Sequence, residues 1–343
     1  MSAVGTSTPS PSRGIEMAQK VWMALLVLAV LTFPLILPGY WIYFFGLLGI
    51  NIIATHGLNI MTGYTGLLSL GHAAFIGVGA YTVAVLQSRF GMPFWITVPT
   101  AGIVAAVVGV IFGLPSLRIR GLYLVIATLA AQFILYFIFV NWSSVTNGYM
   151  GVAVAPAVVF GYSITDSVSA YYFILFFVVI STIFVRNVVN SQVGRALIAV
   201  RERDLTAQVM GVEIVHYKFV AFALGSFYAG IAGALMAYFN RYVNPEQFGL
   251  LLSVFFLSAV IIGGMGSVLG AILGAIFVTL LPEVLRGSAL VVGGSLGFDL
   301  ASILTPLREV LFGLLMVCFL ILEPRGLSEL WKKAIRRFSR ANA

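Results

Sequence analysis

The sequence is poor in charge and contains a single cysteine. Only 9% of its 343 residues are Asp, Glu, Lys or Arg, whereas an average soluble domain carries about 25%. Cys318 has no second cysteine to pair with, which excludes a disulfide and a cysteine-based metal site. With 61% hydrophobic residues, the composition is that of a membrane protein.

Catalytic motifs are missing as well. The sequence contains no His-Glu-x-x-His zinc motif, no Gly-x-Ser-x-Gly nucleophile motif and no Gly-Lys pair, and a phosphate-binding loop for ATP needs that pair. We therefore predict that the chain is not an enzyme and that it binds no metal and no cofactor. Any ATP and magnesium that power it are expected on another subunit.

Long uncharged stretches predict the fold class. Residues 21–88, 91–117, 121–165, 167–185, 219–240 and 247–282 lack Asp, Glu, Lys and Arg. About 20 apolar residues of helix cross a membrane, and none of these stretches alternates as a barrel strand would. We therefore expect an all-α polytopic membrane protein with about ten transmembrane helices (8–10), some short or broken. The predicted spans are 21–38, 41–61, 66–87, 94–115, 120–141, 169–187, 217–239, 248–264, 267–285 and 302–322.

The placement of basic residues predicts the orientation. If both termini are cytoplasmic, fifteen Lys and Arg residues fall on the inner side and four on or near the outer side, as cytoplasmic loops require. Residues 1–20 are expected to be a disordered cytoplasmic tail, 21–325 the transmembrane domain and 326–343 a basic cytoplasmic tail. Within that last tail, residues 331–340 are either an interfacial amphipathic helix or a frayed end. The net charge of +8 predicts contact with anionic membrane lipid, not with nucleic acid.

A charged segment, residues 186–218, stands out between the apolar stretches. It holds eight charged residues, and its inner part, 188–216, is predicted to be a cytoplasmic loop. Leu205, Val209 and Val212 recur at helical spacing, and Gly211 can end a helix in the left-handed conformation. Such a short helix can dock its apolar face on a soluble partner. The alternative is an interfacial helix without a partner.

Two glycine-rich segments mark candidate breaks in the spans. Gly63 to His72 in the first half and Gly263 to Ser267 in the second each precede a predicted helix start, which is the pattern typical of a transporter binding site. Gly266, Gly270 and Gly274 recur every four residues and are predicted to form one smooth helix-packing face. The alternative is that all these glycines serve packing alone.

Polar residues within the spans are candidate linings of a translocation pathway. Asn51, Thr55 and Asn59 follow one helical face, and Thr128 and Gln132 form a similar pair. Such residues either line a pathway or hydrogen-bond helices together. The histidines His56 and His72 either titrate or are neutral packing residues. The full set of candidate pathway residues is Asn51, Thr55, Asn59, Ser69, His72, Thr128 and Gln132.

Carboxylates are scarce inside the predicted spans. Glu246, Glu283, Asp299, Glu309 and Glu323 all fall near span ends, whereas proton-driven transporters carry Asp or Glu within the membrane. This argues against proton coupling and leaves sodium coupling open. Energy supplied by a separate, ATP-hydrolysing subunit fits the sequence better.

Several short segments of the sequence resemble those of a known family. The resemblance lies in the segments 57–72 (GLNIMTGYTGLLSLGH), 121–124 (GLYL), 194–197 (GRAL), 201–202 (RE), 229–235 (AGIAGAL), 263–267 (GGMGS) and 323–327 (EPRGL). Together they resemble the LivM-type permease subunit of branched-chain amino acid ABC importers, from about residue 40 to 330. Related permeases for urea, amides and aromatic acids share such motifs, so the solute stays open.

The resemblance implies an ABC importer permease fold and a set of partners. These are a LivH-type permease in a heterodimer, two cytoplasmic ATPase subunits and an external solute-binding protein, in a prokaryotic inner (plasma) membrane. It also implies that the charged segment contains the ATPase-coupling helix, in which Ala207 and Gly211 match the family motif while Leu205 and Thr206 do not. The coupling residues implied in this way are Arg201, Glu202, Arg203, Asp204, Leu205, Thr206, Ala207 and Gly211.

Overall fold

The computed structural model describes residues 38–114, 121–159 and 161–296, together with positions 32, 34, 310, 313, 314, 317, 318, 321, 326–331 and 333. In this part of the chain seven helices are long and apolar enough to cross a membrane, and a shorter apolar helix covers Val268–Val284. The predicted spans 21–38 and 302–322 lie almost wholly outside the described residues, as does the tail 1–20. The predicted count of ten therefore stays a prediction.

The described part of the chain is mostly helical and has four short strands. The helices are α1 (Gly39–Leu58), α2 (His72–Phe90), α3 (Phe94–Gly113), α4 (Leu122–Asn141), α5 (Ser143–Thr146), α6 (Ser167–Asn190), α7 (Gln192–Glu202), α8 (Asp204–Val209), α9 (Ile214–Asn240), α10 (Leu250–Gly263) and α11 (Val268–Leu296). The strands are β1 (Val152–Ala153), β2 (Val158–Val159), β3 (Tyr162–Ser163) and β4 (Tyr242–Val243), paired antiparallel as β1 with β4 and β2 with β3.

The long helix α9 forms the centre of the bundle and packs against α1, α2 and α3. Its AGIAGAL motif lets backbones touch. A Cβ on Gly233 would lie 1.9 Å from the carbonyl oxygen of Ile76, and a Cβ on Gly79 would lie 2.2 Å from that of Gly230. Small residues allow such close approach in a bilayer, where association depends on packing. These glycines make α2, α3 and α9 one tightly packed body.

The chain leaves helical geometry between α1 and α2. A π-helical turn, Asn59–Tyr64, extends α1, Gly66 adopts a φ of +75°, and α2 begins only at His72. The predicted start of this span at residue 66 is therefore wrong, because hydropathy does not distinguish uncharged extended backbone from uncharged helix. A π-turn within a helix is rare and often marks a functional site.

The start of α2 lies deep in the bundle. The Nε2 atom of His72 lies 2.9 Å from the carbonyl oxygen of Ala54, and Ala54 precedes the end of the π-turn by ten residues. The start of α2 thus lies beside α1, more than two helical turns before the end of the π-turn. The segment from Thr65 to Gly71 therefore re-enters the bundle in a non-helical form, as broken transporter helices do.

The helix α10 is also short. Its α-helical part has 14 residues, which is roughly 21 Å. Only together with the preceding turn does the apolar segment, Pro245–Gly263, reach the 19 residues of a candidate span. A 3₁₀ turn, Pro245–Phe248, precedes it, and Phe248 is fully buried. The predicted span 248–264 thus begins at the last residue of the turn and contains a helix about two-thirds as long as a crossing.

Candidate translocation pathway and coupling segment

A cavity of about 670 Å³ lies between α1, α4, α10 and the 3₁₀ turn. Its lining is mainly apolar, with side chains such as Ile50, Leu250 and Phe255. Its lining residues with polar side-chain atoms are Asn51, Gln132, Tyr136, Glu246 and Gln247. A mostly apolar cavity of this size with a few placed polar groups is the usual form of a small-molecule site. We take it as the candidate translocation site.

At the cavity, Gln132 connects the start of α2 to the 3₁₀ turn that precedes α10. Its Oε1 accepts the backbone N–H of Ala74 at 2.9 Å and the hydroxyl of Ser253 at 3.2 Å, and its Nε2 donates to the carbonyl of Phe248 at 2.7 Å. The Ser253 hydroxyl in turn accepts the N–H of Ala73 at 2.9 Å. Side chains of α4 and α10 therefore satisfy the first N–H groups of α2, which have no partner within their own helix.

The re-entrant segment is held by short polar side chains. The Thr128 hydroxyl accepts the N–H of Leu70 at 3.1 Å, and Ser69 Oγ accepts the N–H of Gly71 at 3.2 Å. The Thr62 hydroxyl donates to the carbonyl of Leu67. Backbone groups at membrane depth are costly unless they are paired, so these side chains permit a non-helical chain there.

Asn51, Thr55 and Asn59, which were predicted to share one helical face, make three different kinds of contact. Asn51 lines the cavity and donates through Nδ2 to the hydroxyl of Thr279 in α11 at 3.1 Å. Thr55 donates to the carbonyl of Asn51 in its own helix. Asn59 contacts the second glycine segment. Of the seven predicted pathway residues, Asn51 and Gln132 line the cavity.

Both histidines of α1 and α2 are fully buried. His72 faces the Ala54 carbonyl, as described above, and His56 Nε2 lies 3.1 Å from the Thr182 hydroxyl of α6. Because a carbonyl only accepts, the proton of His72 is assigned to Nε2. In the described part of the chain, no cluster of three His, Cys, Asp or Glu residues could hold a metal ion.

The two glycine segments meet at one end of the bundle. This end also carries Arg195, Arg201 and Arg203, and we call it the basic face. Asn59 donates through Nδ2 to the carbonyl of Ser267 at 3.0 Å, and its Oδ1 accepts the N–H of Gly266 at 3.0 Å. One amide thus joins the turn after α1 to the turn before α11.

The predicted face of Gly266, Gly270 and Gly274 is divided in the structure. Gly266 is not helical: it lies in the turn before α11 with a φ of +78°, so placing it on the helix face was wrong. Gly270 and Gly274 lie within α11 against α10, where a Cβ on Gly274 would be 1.9 Å from the Ala259 carbonyl oxygen. The spacing of four residues runs from Gly266 to Gly274 in the sequence, but the helix begins only at Val268, so Gly266 does not share its face.

The charged segment folds into two short helices. The helix α7 ends at Glu202, and α8 follows after Arg203. Ala207 is 4% exposed, and Gly211 ends the segment with a φ of +83°, in the left-handed region. The side chains of Asp204 and Leu205 lie outside the described residues, whereas those of Glu202, Arg203 and Thr206 are exposed.

The tip of α8 presents apolar side chains outward. Val209 is 87% exposed and Met210 is 79% exposed. The helical spacing identified Val209, but Met210 was missed because it lies beyond the regular spacing. The signal that would have found it is a large apolar residue directly before the glycine that ends a charged loop. Exposed apolar tips of this kind are typical of protein contacts.

Comparisons with known proteins point in one direction. A family model described as "Branched-chain amino acid transport system / permease component" matches residues 40–320. The chain is 33% identical over 339 residues to the high-affinity branched-chain amino acid transport system permease protein LivM of Escherichia coli, which covers 92% of this chain and 76% of that protein. No solved structure matches this chain significantly.

More distant relatives include both kinds of permease. The probable branched-chain amino acid transport permease protein LivM of Methanocaldococcus jannaschii is 25% identical, over 81% of this chain and 90% of that protein. The probable LivH protein of the same organism is 26% identical, over 92% of this chain and 99% of that protein. The chain is thus similar to permeases of both the LivM and the LivH type.

Proposed function

We infer the function from a premise that the comparisons establish: the chain belongs to the family of permease components of branched-chain amino acid transport systems. We propose that it forms half of the translocation pathway of an ATP-driven importer, with a LivH-type permease as the other half. Two cytoplasmic ATPase subunits and an external solute-binding protein complete the assembly, and the basic face is the cytoplasmic one, in a prokaryotic inner membrane.

The observation that carries the coupling to ATP is the exposed tip of α8. Val209 and Met210 are apolar and almost fully exposed, at the end of the segment that also carries Arg201 and Arg203. A soluble ATPase subunit that covers this tip would bury both side chains, with Glu202 and Arg203 setting the register of the contact. ATP hydrolysis then takes place on the partner, and this chain moves in response.

The experiment is reconstitution of the assembly in proteoliposomes. We expect the chain to co-purify with its partner permease and two ATPase subunits, and labelled leucine to enter vesicles only when ATP and the solute-binding protein are both supplied. Uptake driven by a sodium gradient with this chain alone would contradict the proposal. Saturable, ATP-dependent uptake of urea in place of leucine would keep the importer and change the solute.

The cavity supports an amino acid with an apolar side chain as the solute. Its walls are mainly aliphatic and aromatic, and Glu246 places one carboxylate at its edge. A carboxylate can pair with the α-ammonium group, and the apolar walls can bury the side chain.

A single substitution tests this assignment. Glu246→Gln should raise the KM for leucine uptake roughly 5- to 30-fold, because a charged hydrogen bond of about 1–2 kcal/mol is lost. The control is Glu213→Gln, which changes an exposed carboxylate at the basic face and should leave the KM unchanged. Equal KM values in the two variants would remove Glu246 from the solute site.

A further inference from the structure

The guanidinium group of Arg201 lies between the two glycine turns of the basic face. Its Nη1 donates to the carbonyl of Gly63. A Cβ on Gly266 would lie 2.7 Å from the same Nη1, and a Cβ on Gly66 would lie 3.3 Å from the Cγ of Arg201. One side chain thus contacts the turn Gly63–Gly66 after α1 and the turn Gly263–Gly266 after α10.

These two turns end two of the helices that line the cavity. The helix α1 contributes Ile50 and Asn51 to the lining, and α10 contributes Leu250 and Phe255. Both turns contain a glycine with positive φ, Gly66 at +75° and Gly266 at +78°, so each reverses the chain where a side chain would be strained. A shift at the turns therefore reaches the cavity along two rigid helices.

On its other side, Arg201 is tied to the exposed tip. It lies in the last turn of α7, and Arg203 donates its N–H to the carbonyl of Ala199 at 3.2 Å. Arg203 also accepts the N–H of Ala207 at 3.0 Å, and Ala207 accepts that of Val212 at 3.0 Å. These backbone bonds join α7 and α8 into one unit, so displacement of the tip also displaces Arg201.

We propose that Arg201 is the positioning residue that transmits movement of α8 to the ends of α1 and α10. This rests on the proposed function, since it names the link between the ATPase contact and the pathway. The resemblance placed Arg201 among the residues that meet the ATPase. In the structure the residue is exposed, but its Nη1 donates to the carbonyl of Gly63 and lies beside Gly266, so the guanidinium is engaged by the glycine turns. A planar guanidinium with five donors can hold two neighbouring turns, which an ammonium group on a flexible stem does less well.

The test measures leucine uptake and ATP hydrolysis in the same proteoliposomes containing the complete importer. In Arg201→Gln the ratio of uptake to ATP hydrolysed should fall roughly tenfold, which is the size of a typical coupling between sites. In Arg201→Lys the charge is kept, and we expect a smaller fall in the ratio. A purely structural role would lower the amount of assembled complex and leave the ratio unchanged.

The matched control is Arg195→Gln on the same helix. Arg195 is exposed and its guanidinium donates to the nearby carbonyl of Asn190, so we expect a normal ratio. A normal ratio in Arg201→Gln would overturn the proposal, as would an equal fall in Arg195→Gln, which would make charge alone responsible. Failure of the proposed function is seen separately, because the unmodified assembly would then show no ATP-dependent uptake at all.

Discussion

Two regions of the bundle are held together in different ways. Where α9 meets α2 and α3, backbones touch at Gly79, Gly230 and Gly233, and the contact consists of many small dispersion terms along rigid helices. At the basic face, two turns are joined by the side chains of Asn59 and Arg201. Close packing resists gradual displacement, whereas a few hydrogen bonds can be exchanged for others. The first region is suited to be the static body and the second to be the moving part.

The largest effect is expected from breaking the static body. Gly233→Leu places a branched side chain where even a Cβ would meet the Ile76 carbonyl oxygen at 1.9 Å, so α2 and α9 must separate. We expect loss of folded protein, seen as aggregation in size-exclusion chromatography after detergent extraction. The control is Gly39→Leu, since nothing lies within 4 Å of a Cβ there. A monodisperse Gly233→Leu protein would show that this contact is not tight.

The next effect concerns the exposed tip of α8, which we propose to move together with the two turns. Met210→Glu places a charge in the proposed ATPase contact, where burial without a partner is costly, and we expect uptake to fall more than about tenfold, the equivalent of 1.4 kcal/mol. Thermal stability should not change, because Met210 is 79% exposed. Met210→Leu serves as the control and should retain uptake. Normal uptake by Met210→Glu would exclude the tip from the contact.

Asn59 tests whether the two turns act together. Asn59→Leu keeps the volume of the side chain but leaves the Gly266 N–H and the Ser267 carbonyl without their amide partner. We expect about 1–3 kcal/mol less stability and several-fold slower uptake. The control is Asn141→Leu, because Asn141 donates only within α4, to the Phe137 carbonyl. A protein as stable and as active as the unmodified one would show that the Asn59 amide is not needed to join the two turns.

The smallest effect is expected in the re-entrant segment. Thr128→Val removes the acceptor of the Leu70 N–H, and we expect the melting temperature to fall by a few degrees, for a loss of about 1 kcal/mol. In the control, Thr82→Val, the hydroxyl that is lost donates to Val78 of its own helix. Equal melting temperatures in the two variants would mean that water or another group replaces the Thr128 hydroxyl.

Much of the helical architecture follows from the uncharged stretches. The predicted spans 94–115, 120–141, 169–187 and 217–239 each match one long helix, because backbone that faces lipid over its whole length must pair its own polar groups as a helix. The predicted loop 188–216 also contains the two short helices and the left-handed Gly211. These features depend on local chemistry, which the sequence displays directly.

The candidate site was less accessible to sequence reasoning. Asn51, Thr55 and Asn59 share one helical face, yet one lines a cavity, one bonds its own helix and one joins two turns. Periodicity shows which residues share a direction, and it does not show which element lies in that direction. The cavity residue Glu246 was seen in the sequence only as a charge near a span end.

Hydropathy and charge thus settle that this chain belongs in a membrane, where most of its helices run and which loop carries its charges, because the cost of burying a charge in lipid applies to each segment separately. The breaks before α2 and α10, and the contact of Arg201 with both glycine turns, arise from packing between distant segments. Residue 63 meets residues 201 and 266 only once the helices have assembled, and no property of any one segment contains that distance.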